Sequence, residues 1–172
     1  LYEAELAISD MVVDVRKNIL MYSLIGENGL YVLNMANKSV ELIESFPSSN
    51  LLTYDWIAEN VYIIERNAFG KLEIFACSMA TKKCVIINRF KLNRSHITSI
   101  DIDPTRGYLF FVRKMSLFTS KTKTEIVRMR LDGSEEKVLL EDPNLNIIRA
   151  LSIDIRSKTI YFTEQNSQSL NK

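Results

Sequence analysis

An Asp at the end of an apolar, alternating run recurs four times in this chain, and a second apolar run follows it at a fixed offset. The stretches are "MVVDVRKNILMYSL" around Asp14, "LTYDWIAENVYIIE" around Asp55, "SIDIDPTRGYLFFVR" around Asp103 and "ALSIDIRSKTIYFTE" around Asp154. The sixth residue after the Asp is aliphatic each time: Leu20, Val61, Leu109 and Ile160. The anchors lie 41, 48 and 51 residues apart. Self-similarity at such a period marks a chain of stacked supersecondary units, each too small to bury its own apolar face.

Val, Ile, Tyr and Phe dominate the runs, and apolar residues alternate with period two, so the units read as strands. Each unit reads as four strands joined by tight turns. In the third, strands are predicted near 97–102, 108–113, 124–131 and 136–141. "LDGS" from Leu131 to Ser134 supplies the Asp-Gly signal of a hairpin. No segment shows a capped helical stripe. The pattern predicts an all-β fold, a β-propeller of four-stranded antiparallel blades. The competing reading is an open β-sandwich with coincidental spacing. The blades fall near 10–46, 51–90, 97–141 and an incomplete 148–164, in a single partial domain over 1–172.

The chain has 172 residues, 47% hydrophobic and 25% charged, enough for a core and against wholesale disorder. Its net charge of +1 gives no general affinity for nucleic acid or a membrane surface. No apolar run approaches the roughly 18 residues that span a bilayer. The chain opens on Leu1-Tyr2-Glu3 with no initiator Met, basic n-region or apolar h-region, so any targeting signal is expected outside it. No nucleophile–base pair, phosphate-binding loop or metal-ligand cluster stands out, so no catalytic residue, metal or cofactor is expected.

"YDWIAENVYIIE", "DIDPTRGYLFFV" and "IVRMRLDGSEEKVLLEDPNLNIIRALSIDIRSKTIYFTE" resemble the YWTD repeats, the class B repeats of low-density lipoprotein receptors. The resemblance covers about residues 10–164. Here the tetrads read Met21-Tyr22-Ser23-Leu24, Tyr62-Ile63-Ile64-Glu65, Phe110-Phe111-Val112-Arg113 and Tyr161-Phe162-Thr163-Glu164. The acid that the family places fourth, and that is implied to tie its strands, survives only as Glu65 and Glu164. Leu24 and Arg113 cannot accept hydrogen bonds, which predicts a propeller held more by aliphatic contact. The resemblance implies six blades, of which about three and a half are here. A partial ring exposes apolar blade faces, so the chain is expected to be part of a longer extracellular region, with an EGF-like module beyond.

A hairpin turn centred near Ala80-Thr81 would set Cys77 and Cys84 opposite one another, near disulfide range. The alternative is two free, half-buried thiols; the extracellular resemblance favours the bond. Asn37-Lys38-Ser39 and Asn93-Arg94-Ser95 are sequons, making Asn37 and Asn93 candidate glycosylation sites. His96 reads as an ordinary loop residue, and Trp56 as an aromatic of blade contact or of the channel. The four anchor Asp residues are expected to accept hydrogen bonds in their own turns rather than to act as acids or calcium ligands.

The loops after the second and fourth strands of each blade should emerge on one face. They carry ten bases against four acids, a charge of +6. Arg66, Arg89, Lys91, Arg113, Lys114, Lys121, Lys123 and Arg149 are the candidate ligand-binding residues, suited to a protein with an acidic surface. The alternative is a set of solvated loops. By resemblance the chain is a non-enzymatic module of a cell-surface receptor, endocytic and of the lipoprotein or yolk-protein kind. It would bind protein ligand or the receptor's own other modules. Wnt co-receptors and Sevenless/Ros-type receptor tyrosine kinases carry similar propellers, as do calcium-dependent hydrolases.

Overall fold

The computed structural model describes residues 7–25, 27, 29–44, 49–66, 71–90, 95–116, 122–142, 148–164 and 170–171. Among them lie fifteen strands and no helix; no helix is long and apolar enough to cross a membrane. The first sheet runs β1 (Ile8–Asp14), β2 (Ile19–Leu24), β3 (Leu30–Asn34), β4 (Val40–Glu44). The second runs β5 (Ser49–Asp55), β6 (Asn60–Arg66), β7 (Leu72–Ser78), β8 (Lys83–Arg89). The third runs β9 (Ser95–Asp103), β10 (Tyr108–Ser116), β11 (Thr122–Arg130), β12 (Lys137–Asp142). The fourth holds β13 (Ile148–Asp154), β14 (Thr159–Glu164) and the short β15 (Leu170–Asn171). Each is an antiparallel meander whose spatial order is its chain order. In the third sheet the strands start or end one to three residues away from most of the bounds predicted from sequence.

Each anchor Asp ends the first strand of its sheet, and the turn that follows has one design. Asp14 Oδ1 accepts the N–H groups of Arg16 (2.9 Å) and Lys17 (3.2 Å), and Asp55 Oδ1 those of Ile57 (2.8 Å) and Ala58 (3.0 Å). Asp103 Oδ1 takes the Thr105 hydroxyl and the Arg106 N–H; Asp154 Oδ1 takes the N–H groups of Arg156 and Ser157. These are Asx turns, as the sequence predicts. The residue four beyond each Asp has positive φ: Asn18 (56°), Glu59 (58°), Gly107 (72°) and Lys158 (58°). That left-handed residue lets a short loop join two right-twisted strands.

Contacts divide the chain into two compact units, Leu1–Lys91 and Leu92–Lys172. In the first, Met21 and Leu30 of the first sheet meet Leu52, Tyr54, Val61, Ile63 and Cys77 of the second. In the second, Phe110, Val112 and Ile126 meet Ile148, Leu151 and Phe162. The four tetrads all occupy the second strand of their sheet, where Tyr22, Tyr62, Phe111 and Phe162 are buried.

Candidate functional site

Within each unit the first strand of one sheet is stitched to the first strand of the next by polar side chains. Asp10 on β1 accepts the Leu52 N–H of β5 through Oδ2 at 2.8 Å. Asp101 on β9 accepts the Ile153 N–H of β13 through Oδ2 at 2.7 Å. In both, Oδ1 takes the N–H of the following residue, Met11 or Ile102, at 2.8 Å. Ser99 Oγ accepts the Leu151 N–H at 3.0 Å, and the Thr98 hydroxyl donates to the Ile148 carbonyl at 3.0 Å. In unit 1 the Tyr54 hydroxyl donates to Asp14 Oδ2 at 2.9 Å. These carboxylates tie adjacent sheets of a unit together. Sequence reasoning missed Asp10 and Asp101, because an acid in an alternating strand reads as solvated.

The tetrad's fourth position in the third sheet is nonetheless polar and tied. Arg113 cannot accept a bond, but it donates. Its side chain is 11% exposed, and the guanidinium bonds Glu125 at 2.8 and 3.0 Å and reaches Glu136 at 2.7 Å. Lys123 Nζ meets Glu125 and Glu141, each at 2.8 Å. Burial opposes the charge on Glu125, which is 2% exposed, yet Lys123 and Arg113 hold its carboxyl below the usual range. Burial likewise opposes the charge on Arg113, and its bonds to Glu125 and Glu136 outweigh that.

Those bonds change the reading of the basic face. Arg89 is also paired, with Glu73 at 2.9 Å. Arg89, Arg113 and Lys123 are therefore neutralised within their own sheets, partly by strand residues that a count over loops leaves out. Lys114 is half-buried and Arg149 exposed; among the described residues neither has a carboxylate partner. Lys91, Lys121 and Asn93 lie outside the described residues, as does the Arg66 side chain. Asn37 is exposed in the turn between β3 and β4, where its Oδ1 accepts the Ser39 hydroxyl (2.8 Å) and N–H (3.0 Å).

Cys77 and Cys84 are opposite partners on β7 and β8 and are bonded, with S–S 2.02 Å and Cα–Cα 4.0 Å. Trp56 lies at the junction of a strand and its turn. It opens the turn after β5, is 37% exposed, and its carbonyl accepts Arg16 Nη2 at 2.7 Å. Among the described residues no three His, Cys, Asp or Glu side chains converge as metal ligands.

On the second strands, corresponding positions carry opposite charges. Arg113 faces Glu125 across β10–β11, whereas Glu65 faces Glu73 across β6–β7. Glu65 is 1% exposed; burial, and then the Glu73 charge, push its carboxyl up to about 7.

No family model matches the chain. The vitellogenin receptor Yl of Drosophila melanogaster is 27% identical over 146 residues, 85% of this chain and 7% of that protein. A chain of the nidogen/laminin complex aligns with a TM-score of 0.73 at 16% identity, over 92% of this chain and 57% of that one. A TolB-like protein from Agrobacterium tumefaciens aligns at 0.70 and 12% identity, over 93% and 56%. The chain thus spans a small part of its curated relative and little over half of these structures. Its fold class is the partial β-propeller of four-stranded antiparallel blades, and its sequence is similar to part of a receptor.

Proposed function

We propose that this chain is a protein-binding propeller module of YWTD type, from the extracellular part of an endocytic cell-surface receptor for yolk or lipoprotein cargo. The observation that carries it is the similarity to a vitellogenin receptor over 85% of the chain. The Cys77–Cys84 bond suits an oxidising compartment, and the exposed Asn37 sequon suits glycosylation there. The module acts by binding, without chemistry, and its partners are a protein ligand with an acidic surface and other modules of the same receptor. Lys114 and Arg149 are the described cations best able to meet that surface.

The test is binding of vitellogenin to the immobilised chain across a salt series. The double variant Lys114→Glu/Arg149→Glu should weaken binding by about tenfold and flatten its salt dependence. Binding that keeps both its strength and its salt slope would remove these residues from the interface. No binding by the unaltered chain at any salt would overturn the cargo reading.

A further inference from the structure

Glu65 lies on the face of β6 that also presents Val61 and Ile63, by two-residue alternation, and those residues pack on the first sheet. Its Oε2 has no hydrogen-bond partner among the described residues. The groups that face it can be named strand by strand. Glu73 stands opposite on β7, 12% exposed at its side chain. Arg89 stands opposite Glu73 on β8, 66% exposed and bonded to Glu73.

The first sheet carries three polar or charged groups toward the corresponding end of its strands. Ser23 on β2 follows Met21 on the same face; it is fully buried, and its Oγ has no partner among the described residues. Asp10 on β1 has both oxygens committed to N–H groups. Glu44 on β4 is in register with Leu30. Among its described side chains β5 brings no charge to this end, since Asp55 is at the other. The side chains of Ser49, Asn50 and Arg66, and residues 67–70, lie outside the described residues. Of these groups Glu73 is the one directly opposite Glu65, and the nearest cation on that side, Arg89, is engaged by Glu73.

We propose that the Glu65–Glu73 pair is a proton-operated latch between the first two sheets. With Glu65 protonated, the sheets close over a neutral carboxyl; its ionisation sets two carboxylates against each other across β6–β7 and loosens this end of the unit. Arg113 in the third sheet shows the alternative, a permanent cation opposite Glu125 that needs no proton. An unpaired carboxylate in a water-poor site is costly, whereas the neutral acid is tolerated there. The folded chain therefore holds this proton more tightly than the unfolded one. The stabilisation is whole below the ordinary glutamate value of 4.5 and is lost as the pH rises through about 7.

The experiment is a titration of the glutamate Cδ resonances of the chain by carbon NMR, from about pH 4 to about pH 9. One resonance should have a midpoint near 7, be missing from Glu65→Gln, and move toward acid by about half a pH unit or more in Glu73→Gln. If every glutamate titrates in the ordinary acid range in the unaltered chain, the latch is overturned without recourse to a variant. A midpoint that ignores Glu73→Gln would overturn the pairing. Amide exchange at the ends of β2 and β6, corrected for its intrinsic pH dependence, should speed up above the midpoint. Equal protection on both sides of it would show a titration that loosens nothing.

Discussion

The carboxylates of this chain do unlike work according to what surrounds them. Asp10 and Asp101 each accept one backbone N–H from the neighbouring sheet. Asp101→Ala leaves the Ile153 N–H without its acceptor and should cost about 1–3 kcal/mol, read as a lower urea midpoint. Arg113→Met removes one of the two cations that hold the nearly fully buried Glu125, the other being Lys123, and should cost about 2 kcal/mol. Glu125, Asp14 and Asp103 titrate below their usual values: burial raises each, and bonds and nearby cations outweigh it. Their stabilisation is present above the ordinary carboxylate range and lost as the pH falls below it. Glu65 has the opposite sign. Stability should therefore fall off on both sides of a mildly acidic optimum, and Glu65→Gln should abolish only the alkaline decline.

At the scale of elements, much was legible in the sequence. The Asp anchor and the six-residue offset located the second strands because period-two alternation and a fixed turn length leave little freedom of register. The Cys77–Cys84 register followed from the same reasoning, through the centre of the hairpin. The backbone of the turns was less legible. Gly107 advertises a left-handed residue, but Asn18, Glu59 and Lys158 adopt the same φ without a glycine. An L-residue there carries a strain of about 1 kcal/mol, so Lys158→Gly should raise the melting temperature, stabilising by roughly that amount. The disulfide closes a short loop, with a sequence separation of 7. In the chain-entropy account its reduction should cost only about 2 kcal/mol, visible as a modest drop in denaturation midpoint with the sheets retained.

For the whole molecule, the sequence carried the architecture further than it carried the site. Repetition shows in one dimension, and blades follow from it. Charge pairing does not, because Glu125 and Glu73 sit on strands while the cations they neutralise were counted with loops. Of the bases in that count, Arg89, Arg113 and Lys123 are paired within their own sheets among the described residues.

The central claim is that the chain binds cargo through the connections that follow the second and fourth strands of its sheets. Hydrogen–deuterium exchange of the chain with and without vitellogenin addresses it directly. The expected result is cargo-dependent protection in segments 89–96, 113–124 and 141–149, with the Asx turns at 14–18, 55–59, 103–107 and 154–158 unchanged. Protection confined to those turns, or none under conditions where the complex forms, would contradict the account.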